Sequence, residues 1–193
     1  MINGHPHKRS ASIFIVILWI FSTAPPRALA QSDEEIEYPA KLAFLYNFAK
    51  FIEWPPGSYH SPVAPFVLCV FGRDPFSPGS ESDLRAHMVL SHPIEVRILR
   101  ATDTLSACNI AFIPVTEKDQ TDNILRGFKG SSTLTVGETQ GFAARGGIIN
   151  LTLEGNRLRF EINQMAAERA GLKISSKLFS LAKIVTDDQR RPQ

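Results

Sequence analysis

Few residues in this 193-residue chain have the side chains for chemistry: five histidines, two cysteines and some acids that follow strand-like apolar runs. His87 and His92 lack the i, i+4 spacing of a metal-binding helix, and no acid or cysteine stands at ligand spacing beside them. They read as surface histidines, and His60 as a loop residue. Gly127-Phe128-Lys129-Gly130-Ser131-Ser132 holds a lysine and hydroxyls but not in phosphate-loop order, and it follows a helix-like stretch instead of opening one. Asp74 and Asp103 come just after strands, where receiver-like domains carry a phosphorylated acid, but an exported chain meets no phosphodonor. The expectation is no catalytic residue, no metal site and no cofactor.

Binding is the better prospect. Glu161 and Asn163 close the last strand-like run, and strand ends of α/β sheets are where ligands and partners dock. Lys173 and Ser175 open the final helical stretch, whose N-terminus favours anions. Asn163 can equally cap a helix from Met165, and Glu161 can equally face solvent. Cys69 and Cys108 each lie in or beside an apolar run, so they form either a disulfide or two buried thiols. Phe44, Tyr46, Phe48, Phe51 and Trp54 read as core aromatics.

The elements that must position these residues follow from periodicity. After an acidic start at Asp33–Glu37, apolar residues recur at helical spacing over Tyr38–Phe51, and Trp54-Pro55-Pro56-Gly57 stops that helix. Strands are predicted at Phe66–Phe71, Ile94–Leu99, Ile110–Ile113 and Thr133–Val136. Between them come helices at Ser82–Met88 and Gln120–Phe128 and a helical turn at Glu138–Ala143. Two alternating segments, Gly146–Leu153 and Arg157–Asn163, flank Glu154-Gly155-Asn156 and predict a β-hairpin. Helices at Met165–Ala170 and Ser175–Val185 then close the chain, with a break at Gly171. This pattern predicts a single α/β domain: a largely parallel sheet flanked by helices, a C-terminal hairpin and two closing helices.

The first thirty residues carry the marks of a secretory signal. Lys8 and Arg9 precede the apolar run Ile13–Phe21, and Ala28-Leu29-Ala30 offers a small-residue cleavage pattern. A spanning helix needs about 20 apolar residues, so the expected product is a soluble exported domain over 31–193 that does not insert in the membrane. Removing 1–30 takes away Lys8, Arg9 and Arg27 and no acid, turning the net charge of +2 into −1. A chain with that balance has no electrostatic footprint for nucleic acid.

These pieces, in this order, resemble the YfiR-like family of periplasmic proteins. The resemblance runs from about Tyr38 to Val185. It rests on Lys41–Pro55 (KLAFLYNFAKFIEWP), Leu68–Gly72, Cys108–Ile113, Leu134-Thr135-Val136 with Phe142 and Gly146–Ile149, and Arg159–Asn163 with Gly171–Leu178. It implies an α/β sandwich and a non-enzymatic repressor. Such proteins bind the periplasmic sensor domain of a membrane-bound diguanylate cyclase, until stress or capture by an outer-membrane partner releases it. It also implies a Cys69–Cys108 disulfide at the family's recurrent cysteine positions. An outer-membrane lipoprotein and a second copy of the chain are further candidate partners. The second cysteine pair that some members carry near Phe142–Asn150 is missing here. A different class of function, a small-molecule-binding module feeding a transporter or sensor kinase, predicts a deep pocket.

Overall fold

Phe66–Phe71 contains no polar side chain because both of its faces are covered. All six residues are buried, and successive residues enter opposite cores. The structure is a computed structural model that describes Met1 and residues 33–59, 61, 63–76, 84, 86–103, 107–155 and 157–187. The chain divides between Ala30 and Gln31 into two units, and the signal peptide expected over 1–30 lies outside the described residues apart from Met1.

Helix α1 (Asp33–Lys50) leads into β1 (Ile52–Glu53). The central sheet then builds from β2 (Phe66–Phe71), β3 (Met88–Val89), β4 (His92–Leu99), β5 (Ile110–Ile113), β6 (Leu134–Gly137), β7 (Ile149–Glu154) and β8 (Arg157–Asn163). A 3-10 stretch (Val115–Gln120) and α2 (Thr121–Gly127) connect β5 to β6. After β8 come α3 (Gln164–Arg169), β9 (Lys173–Ile174), α4 (Ser176–Phe179) and β10 (Lys183–Val185). The strand order is β10-β8-β7-β6-β5-β2-β4-β3, and β1 pairs with β9 in a separate two-stranded ladder. Strands β4, β2, β5, β6 and β7 run parallel. Taken in chain order these five are arranged 2-1-3-4-5, as in doubly wound sheets that carry helices on both faces.

On one face α1 lays down Leu42, Leu45, Phe48 and Ala49 against Leu68, Val70, Phe112 and Val136. On the other, Ile124 of α2 with Phe128 and Phe142 covers Val67, Cys69, Phe71 and Ile113. Phe142 is wholly buried, and its ring occupies the space of two absent side chains. A Cβ on Gly137 would come within 2.3 Å of that ring, and one on Gly147 within 2.1 Å.

Helix α1 takes in the acidic start Asp33–Glu37, expected to precede it, and three further regions differ from the sequence expectation. The helix expected over Ser175–Val185 is confined to Ser176–Phe179, and the chain returns to the sheet as β10, parallel to β8 (Ile184 opposite Ile162). An open sheet edge offers Lys183–Val185 hydrogen-bond partners, and Leu181 and Ile184 stay largely exposed, so an amphipathic helix would have had no face to bury. Glu53, expected just beyond the first helix, pairs instead with Lys173. Of the helix expected at Ser82–Met88, residues 82, 83 and 85 lie outside the described residues, and Met88 is strand.

The hairpin forms as read. β7 and β8 pair antiparallel from Ile149↔Ile162 to Glu154↔Arg157, and Gly155 turns with φ +52°. Asn156, the last residue of the expected turn, lies outside the described residues. Asn163 caps α3: its Oδ1 accepts from the Ala166 N–H at 2.9 Å, while Nδ2 donates to Ala143 O at 2.7 Å and to Asp187. Asn163→Ala is therefore expected to cost about 2 kcal/mol, the upper part of the range for lost caps, because a buried carbonyl also loses its donor. Urea unfolding checks this, and a cost under about 0.5 kcal/mol would be that of an ordinary surface change.

Candidate functional site

The register of β7 creates the site. Its last partner on the β6 side is Asn150, opposite Gly137, so Leu151–Glu154 overhang the carboxyl ends of β5 and β6. In this step lies a cavity of about 500 Å³, bordered by Tyr38 and Lys41 of α1, by Val115, and by Glu138, Gln140 and Gly141 on the turn after β6. The β7–β8 ladder supplies both of its faces: Leu151, Leu153 and Leu158 from one, and Asn150, Thr152 and Glu161 from the other. Strand carboxyl ends are where open α/β sheets take ligands.

Two carboxylates organise the polar side. Glu138 accepts from Tyr38 Oη at 3.1 Å and from the Val115 N–H at 2.7 Å on Oε1, and from Lys41 Nζ on Oε2. Both side chains of the Lys41–Glu138 pair are only 5% exposed. The Lys41 ammonium also sits 4.2 Å from the centre of the Tyr38 ring. Glu161 accepts from Asn150 Nδ2 at 3.1 Å and from Lys183 Nζ at 2.9 Å. Burial works to raise the Glu161 pKa, but the hydrogen bonds from Lys183 and Asn150 and the Lys183 charge outweigh it and hold the carboxyl below its ordinary value. The same hydrogen bond and charge raise the Lys183 pKa. Asn150, itself 1% exposed, leaves Oδ1 without a partner, and Thr152 leaves Oγ1 so.

The four binding candidates do not come together. Glu161 lines the cavity. Asn163 is fully buried and spent on capping α3. Lys173 lies in β9 opposite Glu53, and Ser175 caps α4 by accepting from the Lys177 N–H at 3.1 Å. With four residues, α4 brings little dipole to that end.

Cys69 and Cys108 are joined, with Cα atoms 5.8 Å apart. Asn109 sets this up: its N–H donates to Val67 O and its Oδ1 accepts from the Val67 N–H, locking the entry of β5 to β2. His92 is half-buried, stacked 4.1 Å from the Tyr59 ring. Among the described residues no three His, Cys, Asp or Glu side chains are grouped to hold a metal.

Sequence reasoning passed over Tyr38, Lys41, Glu138, Asn150 and Thr152. A signal for one of them existed: Lys41 falls on the stripe Lys41, Leu45, Phe48, Ile52, which is otherwise apolar and buried.

A family model described as YfiR/HmsC-like matches residues 38–183, a span that includes every cavity-lining residue and both cysteines. The chain belongs to the YfiR/HmsC-like family. Among solved structures, this YfiR/HmsC-like chain is similar to a conserved domain protein from Vibrio cholerae O1 biovar eltor. The TM-score is 0.50 at 14% identity, over 78% of this chain and 60% of that one. That likeness is one of fold, and the chain spans less than two thirds of the Vibrio protein's length. A weaker match is an ABC domain in complex with L-Trp from Streptococcus pneumonia, with TM-score 0.47 and 9% identity over 62% of this chain and 55% of that one. It is too slight to bear on fold or function.

Proposed function

We propose that this protein is an exported, non-enzymatic regulator, cut near Ala30, that works in the periplasm. There it binds the sensor domain of an inner-membrane diguanylate cyclase and holds the enzyme inactive, lowering cyclic-di-GMP. The observation that carries the reading is the YfiR/HmsC-like match over nearly the whole described fold.

Repression of this kind needs differential affinity. A regulator that binds active and inactive sensor conformations equally shifts nothing, and moving a two-state sensor from 1:99 to 99:1 takes about 5.5 kcal/mol of preference. Glu161 and Lys183 at the outer end of the sheet are the candidate contacts, being a charged pair on strand β8 and its edge neighbour β10. An outer-membrane lipoprotein would compete for the regulator, and a homodimer would present the surface twice.

Deleting the gene is expected to raise cellular cyclic-di-GMP, and a tagged full chain is expected to capture a membrane cyclase from the cell envelope. Unchanged nucleotide levels with no cyclase among the captured proteins would overturn the proposal.

A further inference from the structure

We infer that the cavity at the carboxyl ends of β5 and β6 binds a small molecule that presents an amino group on an apolar body. The geometry of Asn150 decides the polarity of the ligand. Its Nδ2 donates to the Glu161 carboxylate, so the amide cannot be flipped without setting oxygen against oxygen. Of the two polar atoms of that amide, the one with no partner is the acceptor Oδ1, on a side chain that lines the cavity and is 1% exposed. A buried acceptor without a partner is a cost that a donating ligand removes. Thr152 adds a second unpartnered oxygen on the same face of β7.

The other charged groups are already committed. Glu138 accepts from Tyr38, Val115 and Lys41, so Lys41 does not stand ready for an anion. An anionic ligand would bring lone pairs toward Asn150 Oδ1 and the Glu161 carboxylate, whereas an ammonium brings N–H groups to both. Leu151, Leu153 and Leu158 supply the apolar wall. The volume, about 500 Å³, falls in the ordinary range for small-molecule sites. This inference does not rest on the repressor reading and goes beyond it.

The test is ligand-observed NMR and calorimetry on protein purified after export of the full chain. The probes are 2-phenylethylamine, 2-phenylethanol and 3-phenylpropionate, which share one apolar body. The amine is expected to bind at least about tenfold more tightly than the carboxylate, the discrimination of a site whose buried acceptor is left unpaired by the wrong ligand. Thr152→Val and Asn150→Leu are each expected to weaken amine binding by about tenfold or more, as for the loss of one hydrogen bond at a buried site. Asn150→Leu also strips Glu161 of a donor, so Thr152→Val, a change that leaves the Glu161 contacts in place, keeps the test decisive if the first variant folds poorly. Absence of amine binding, equal binding of all three probes, or unaltered affinity in Thr152→Val would overturn the inference. Because the readout is binding to the isolated protein, a cell with unchanged cyclic-di-GMP would leave it standing.

Discussion

Replacing both cysteines, as Cys69→Ala with Cys108→Ala, is expected to lower the stability of the oxidised protein by about 4 kcal/mol, the chain-entropy value for a loop of this length. The bridge spans 39 positions and encloses β3 and β4, so without it the unfolded chain regains a large set of conformations. The folded state loses less, since Cys69 is fully buried among Val67, Phe71, Ile113 and Ile124 and a thiol there packs as a small apolar group. For a domain of this size the melting temperature should fall by about 10 °C, at about 2–4 °C per kcal/mol. Urea unfolding with and without reductant separates the contributions: reduced wild type should move toward the double variant, and the double variant should ignore reductant. Superimposable curves for the oxidised wild type and the variant would mean that the cross-link contributes nothing.

The second large effect concerns the charge pair between α1 and the turn after β6. Glu138→Gln keeps the side-chain length and an oxygen for Tyr38 Oη and the Val115 N–H, but it takes the Glu138 charge away from the buried Lys41 ammonium. Breaking a buried pair from one side costs about 3–5 kcal/mol, whereas removing both charges is often close to neutral. Lys41→Met combined with Glu138→Gln should therefore recover most of the loss. The difference between single and double variants in urea unfolding measures the coupling. A single-variant cost under about 1 kcal/mol, the range of exposed pairs, would show that water reaches the pair.

Much of this architecture was legible because the signals are local. β2 and β5 read as unbroken apolar runs because both sides of a central parallel strand are covered. β4 alternates because only one of its faces is. The hairpin carries its turn between its strands. The misreading at Ser175–Val185 has the opposite cause: Leu178, Leu181 and Ile184 keep helical spacing, yet a free edge on β8 claims the last three residues, a preference no local window contains. Strands of two residues, β1 and β9, fall below what periodicity resolves.

The site was legible only in part, for the same reason. Glu161 stands out by its place at a strand end, and the cysteines by their number and setting. Lys41 and Glu138 are 97 positions apart, so the apolar stripe that holds Lys41 says nothing of its partner, and Glu138 alone reads as an ordinary solvated charge. Asn150 and Thr152 occupy the polar positions of an alternating strand, which normally means water. What makes them special is the overhang past β6, a property of register between strands.

The aromatic plug between Gly137 and Gly147 has a consequence for recognition. These glycines bracket the turn bearing Glu138, Gln140 and Gly141, and the ring wedged against both fastens its start to its exit. The fold itself thus shapes the mouth. A guest forfeits little of the receptor's configurational freedom on entry, and its capture should proceed at the pace of encounter with a rigid host, without waiting for a slow rearrangement.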